Sequence, residues 1–260
     1  MNYGLYLSAS GVLTNMYRQD VFANNLANME TPGFKPYIPT IRQRSPESVE
    51  DPGAYGLSRN LLDRLGGGVL TGPEKLNFTA GPLRQTGREM DAALTEPDQF
   101  FAVQHTDAVS GQVSVRLTRD GSFGRNEQGQ LITQTGHLLL DQQDQPITIA
   151  RQVIPRISTT GEVIDQDGNV VGNLQIARVQ SPEQNLRAQG QNLFSFEQGD
   201  ARQPVETPLL EPGFVEGSAV NAIHTLMSLV SSTKAAAGNA SMIQYQDGLM
   251  DQAVNTLGRV

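Results

Sequence analysis

Cysteine and tryptophan are both missing from this 260-residue chain, and aromatic residues make up only 6% of it. Without cysteine there is no disulfide and no thiolate metal site. That absence also suits a chain that passes through an oxidising compartment. No apolar run approaches the roughly 18 residues a membrane span needs. The opening stretch carries no basic residue before Arg18 and no useful apolar segment, so no classical secretory signal is expected. Positive charge is scarce as well: 19 Lys and Arg face 27 Asp and Glu, for a formal net charge of −8. That balance disfavours an electrostatic grip on nucleic acid or anionic lipid.

What is present changes character along the chain. Near the N-terminus, Leu5, Val12, Gln19 and Leu26 recur at seven, with Ala9, Met16 and Phe22 or Ala23 between them, which predicts a helix over 3–28 with a heptad-like stripe. Thr31-Pro32-Gly33 ends it, because proline disfavours helical geometry at the residue before it. Residues 36–75 are proline-rich with a triple glycine at 66–68, and read as an extended connector with a short helix over Leu57–Leu65. From 76 the period becomes two. Val113, Val115 and Leu117 alternate with polar residues, Leu131-Ile132, Leu138–Leu140 and Ile147–Ile149 follow, and Gln166–Asn169 turns a hairpin between 162–165 and 170–171. An antiparallel, mostly up-and-down sheet is expected.

A second proline-rich stretch over 181–215 precedes a long helix predicted to start at Ser218 as N-cap. Ile223, Leu226 or Met227, Val230, Ala237, Ile243, Met250, Val254 and Leu257 keep a three-to-four spacing along it. The fold class is therefore α+β: terminal helices paired as a coiled-coil-like hairpin around a central, mostly antiparallel β domain. The expected divisions are 1–35 (N-terminal helix), 36–75 (connector), 76–200 (β domain), 201–217 (return connector) and 218–260 (C-terminal helix).

Catalytic chemistry finds no footing. His105, His137 and His224 have no partner at helical ligand spacing. Gly66-Gly67-Gly68 lacks the lysine of a phosphate loop, and no nucleophile elbow occurs. Asp120, Asp165 and Asp167 sit in turn contexts, where aspartate commonly bonds its own backbone. Those turn contexts speak against a glycosidase pair, and a calcium loop from Asp141–Asp144 with Asp165–Asp167 matches no defined ligand spacing. No cofactor, metal or small-molecule substrate is expected.

Several stretches carry a resemblance. Asn24-Asn25-Leu26-Ala27-Asn28-Met29-Glu30-Thr31-Pro32-Gly33-Phe34-Lys35 resembles the N-terminal motif of bacterial flagellar rod and hook proteins. Arg119-Asp120-Gly121-Ser122-Phe123 and Gly81–Gly87 are similar to stretches of their β region, and Glu216-Gly217-Ser218 to the opening of their C-terminal helix. Lys234, Ala236, Gly238 and Gly248 depart from the usual pattern there.

The resemblance implies a non-enzymatic subunit of the basal-body rod. Its terminal helices would line a hollow helical shaft that transmits torque and passes exported subunits. It implies other rod subunits and the flagellar export apparatus as partners. The implied location is the periplasmic rod, reached by the flagellar type III route without a cleaved signal. Gly172-Asn173-Leu174 and Gly190–Phe194 suggest the proximal rather than the distal part of the rod.

On the resemblance and the stripes together, the expected assembly contacts are Leu5, Val12, Met16, Phe22, Leu26, Ile223, Leu226, Val230, Ile243, Met250, Val254 and Leu257. The weak helix formers among these segments suggest helices that order on docking. A monomeric β protein with an intramolecular hairpin, a polysaccharide-acting enzyme and a secreted adhesin are the other readings of the same residues.

Overall fold

The structure is a computed structural model that describes residues 3–45, 66–106, 111–150, 152–197, 199 and 202–257. The helix expected over Leu57–Leu65 lies outside the described residues. The chain divides into two units. The first takes the described parts of Met1–Ala27, Tyr37–Lys75 and Asn221–Val260, and the second takes Asn28–Pro36 and Leu76–Val220.

The first unit is an antiparallel pair of helices. One spans Tyr3–Ala27, proline-free until the Thr31-Pro32-Gly33 turn; the other spans Ala222–Leu257. They would measure about 38 Å and 54 Å at 1.5 Å per residue. The C-terminal helix starts later than expected. Ser218 does not cap it, because Asn221 does so, its Oδ1 accepting from the His224 N–H at 3.0 Å. The stretch 36–75 is less irregular than its prolines suggest: Ile41–Gln43 and Val69–Thr71 form an antiparallel pair. The second of these strands lies along the N-terminal helix, where the Tyr17 hydroxyl donates to the Gly72 carbonyl at 3.2 Å. Among the described residues no helix is long and apolar enough to cross a membrane.

The second unit is the β body, antiparallel throughout its main sheet as the period-two pattern predicted, but not up-and-down. Its spatial order runs Leu186–Ala188, Leu193–Phe196, Val113–Thr118, Gln99–Thr106, Leu138–Leu139, Leu131–Thr133, Phe123–Arg125. The strand Gln99–Thr106 is the reason. One of its edges pairs with Val113–Thr118, while the other is shared by Ile176–Arg178 and Leu138–Leu139. Segments far apart in sequence must therefore be interleaved. The proline-rich 181–215 stretch supplies two of these strands, and Ile147–Ile149 contributes only a bridge, Gln130↔Thr148. The expected hairpin is present as Glu162–Ile164 against Val170–Asn173, with a bulge after Val163.

Alternation along the central strand builds two cores at once. Phe101 and Val103 point into a cluster with Phe123, Leu131, Leu139 and Ile149. Phe100 and Ala102 point the other way, to Leu117, Leu140, Val179 and Phe194. In the second cluster Phe78, Phe100 and Phe194 stand with ring centroids 5.3–5.8 Å apart. In the first, Phe101 meets Phe123 edge-on at 5.0 Å. A strand buried on both faces this way is the keel of the unit.

Candidate functional site

At one place in the β body the N-terminal, central and C-terminal motifs meet. Glu216 is buried and accepts from Lys35 Nζ and from Arg119 Nε, each at 2.7 Å. Its Oε1 also takes the Gly81 N–H at 2.8 Å. Lys35 Nζ donates further to the Thr79 carbonyl at 2.8 Å. Arg119 Nη1 reaches the carbonyls of Glu96 and Gln99 at 2.6 Å, and its guanidinium lies 5.8 Å from the Phe100 ring centroid.

Burial pushes the Lys35 ammonium down from its ordinary range, and the adjacent Glu216 charge only partly offsets it. For Glu216, burial acts upward, but Arg119 and then Lys35 outweigh it and hold the carboxyl below its usual range. Two cations on one carboxylate, with the remaining donors spent on backbone carbonyls, form a clamp that tolerates no missing member.

The backbone around the clamp is equally tight. Gly33 sits at φ 67°, and a Cβ there would fall 2.4 Å from the Arg119 carbonyl carbon. Gly121 would place one 1.8 Å from the Ala92 oxygen. No other residue fits either position. Gly33 N–H donates to the Glu216 carbonyl at 2.7 Å, and Ala219 N–H to the Phe34 carbonyl at 3.1 Å, so the 33–34 and 216–219 stretches run side by side. Pro32 accepts from Asn192 Nδ2 at 2.7 Å. Gly217 N–H bonds the Pro82 carbonyl at 2.8 Å, and Ser218 is buried beside it. Asp120 is an Asx turn, its Oδ1 taking the Ser122 N–H at 2.9 Å. Burial raises its carboxyl above the ordinary range.

In the helical unit the seam mixes polar with apolar side chains, and many large apolar side chains face outward. On the C-terminal helix the covered positions from Ser232 onward are 232, 236, 239, 243, 246, 250 and 253, a strict four-three repeat. Among them stand Ser232, Asn239 and Gln246. The facing helix buries Thr14, Asn15, Val21 and Asn25. Asn25 also grips the backbone, donating to the Tyr37 carbonyl at 2.7 Å and accepting from its N–H at 2.8 Å.

The expected assembly residues divide accordingly. Leu5, Val12, Phe22, Leu26, Ile243 and Met250 are half-buried, whereas Met16, Leu226 and Val230 are exposed. Ile223 is 74% and Val254 72% exposed. Leu257 ends the described helix. Tyr6, Leu13, Met227, Met242, Tyr245 and Leu249 join the exposed apolar set, and periodicity alone did not assign these to the outside.

Other candidate residues resolve differently. His105 and His137, read as isolated, are neighbours, with ring centroids 5.1 Å apart. The antiparallel register that pairs Leu138 with Gln104 brings them together. Asp165 Oδ1 accepts from the backbone N–H of Asp167 at 2.9 Å and of Asn169 at 2.8 Å. Asp144 takes both terminal nitrogens of Arg202 at 2.8 Å. Lys35 is the residue whose role the motif concealed, since a lysine beside a turn gives no sign of being buried.

Two comparisons with known proteins bear on these features. A family model described as "Flagella basal body rod protein" matches residues 5–35, and one described as "Flagellar hook protein FlgE/F/G D1 domain" matches residues 96–172. The chain is 29% identical to the flagellar basal-body rod protein FlgF of Caulobacter vibrioides over 100% of both chains. It is 27% identical to FlgG of the same organism, covering 97% of this chain and 98% of the relative. It is 26% identical to FlgG of Buchnera aphidicola (subsp. Schizaphis graminum), covering 95% and 97%.

Proposed function

From this full-length kinship with flagellar basal-body rod proteins, we propose that the chain is a structural subunit of the bacterial flagellar rod, with its terminal helices as the assembly element. The observation that carries the reading is the apolar exterior of the helix pair. Its seam sets Ser232, Asn239 and Gln246 among Ile243 and Met250, while Leu13, Met16, Ile223, Leu226 and Val254 face water in the single chain. Apolar side chains in such number on one helical unit mark an interaction surface. Identical copies related by a repeating, non-closing contact would cover it and build a filament.

In that filament the subunit contacts copies of itself and other rod subunits, and the hollow shaft transmits torque and passes exported chains. The position is the periplasmic rod, reached through the flagellar export apparatus. The proximal part is favoured by the 172–174 and 190–194 stretches, and a distal position is the second reading. The chain acts mechanically and not as an enzyme.

Replacing Val12 or Leu26 with Asp places a charge at a half-buried helical position and is expected to abolish rod incorporation while the β body stays folded. Electron microscopy of basal bodies from strains carrying each variant reads the first effect, and far-UV circular dichroism of the purified chain reads the second. Normal rods built from the variant would overturn the reading. The rod's point of arrest in a deletion strain separates proximal from distal.

A further inference from the structure

The geometry points to the inward face of the N-terminal helix as a register-selective docking surface, whose partner is a helix presenting a carboxamide every seven residues: the chain's own C-terminal helix, in one alignment only. Gly4 and Gly11 are seven apart, as are Asn239 and Gln246. A Cβ at Gly11 would stand 2.5 Å from Asn239 Nδ2, and one at Gly4 would stand 2.6 Å from Gln246 Nε2. Each amide therefore occupies the notch that a glycine leaves. Extending the antiparallel register by sevens sets Arg18 level with Ser232, a small residue that is 1% exposed. The small member stands on the N-terminal helix in two layers and on the C-terminal helix in the third.

A slip by one heptad spoils this in either direction. One slip puts Arg18 against Asn239, large against large. The other leaves Gly11 facing Ser232 with an unfilled notch and carries Gln246 past the seam's first glycine. Polar residues in a helix seam fix register at some expense of stability. That expense is visible here, because Gln246 Oε1 is buried without a hydrogen-bond partner. An apolar side chain would avoid that loss but would fit the slipped alignments as well. The inference concerns pairing within one chain and stands whether or not the chain builds rods.

Disulfide trapping tests it in the full-length chain, which has no cysteine of its own, and oxidation captures even a transient hairpin. Gly4→Cys with Gln246→Cys reports the native alignment. Gly4→Cys with Ala253→Cys reports a one-heptad slip with Asn239 and Gln246 intact. The native pair is expected to link at least about tenfold faster within one chain. Adding Asn239→Ala should raise the slipped yield, and adding Gly11→Asn should slow the native link. The exchange Gly11→Asn with Asn239→Gly should restore the native rate, because the large and small partners have only traded sides. Equal rates for both reporters, no link in either, or an exchange no faster than Gly11→Asn alone would each overturn the inference.

Discussion

The β body and the helix pair are built on opposite plans. The body hides its phenylalanines and aliphatic residues in two clusters and encloses charge chiefly where Lys35, Arg119 and Glu216 satisfy one another, with Asp91 and Asp120 buried besides. The helix pair buries Thr14, Asn15, Asn25 and Ser232 beside Val21, and leaves Leu13, Ile223, Leu226, Tyr245 and Val254 exposed. Apolar burial is the main driving force of folding, so the β body is complete as a single chain. The helix pair becomes complete when something covers it. An alteration at a buried position should thus be felt as stability in the body, and one on the helix exterior as assembly.

The largest effect is expected from Glu216→Ala, which leaves Lys35 and Arg119 as uncompensated buried cations and should cost about 3–5 kcal/mol. Urea unfolding of the full chain measures it. The native carboxyl is held below its ordinary range, so its stabilisation is present above that range and lost as pH falls through the folded value. The variant should lack that acid-side loss.

Asp120→Asn should act more weakly and in the other direction. The raised carboxyl contributes stability below its ordinary range and loses it as pH rises through the folded value. At neutral pH an amide that still accepts from Ser122 should therefore raise the melting temperature. The gain should disappear near about pH 3, where the native side chain is also neutral.

The smallest effect on folding is expected from Val254→Ser, within about 0.5 kcal/mol, accompanied by reduced rod incorporation in electron micrographs. A large stability loss there would erase the contrast between the two units.

Much of this architecture was legible in the sequence. Periodicity located both helices, the period-two segments and the 162–173 hairpin, because those signals are local. Strand order was not legible: Gln99–Thr106 accepts partners from 113–118, 138–139 and 176–178, and nothing in a strand's own residues names its neighbours. The Ser218 cap failed because a serine competes with every other side chain that can reach a free N–H, and Asn221 lies closer to the helix. Gly33, Arg119 and Glu216 stood out as motif residues, yet their common purpose appears only when the segments are brought together. The seam glycines were missed because a hydrophobic count gives glycine and asparagine no weight, although their volumes set the fit.

The bond from Gly217 N–H to the Pro82 carbonyl, which joins the two ends of the Leu76–Val220 stretch, has one further consequence. A folded cassette whose entrance and exit are neighbours behaves as an insertion within a longer chain, and such insertions are readily accommodated. The cassette can be enlarged, trimmed or exchanged for another of similar footprint while the flanking sequence stays untouched.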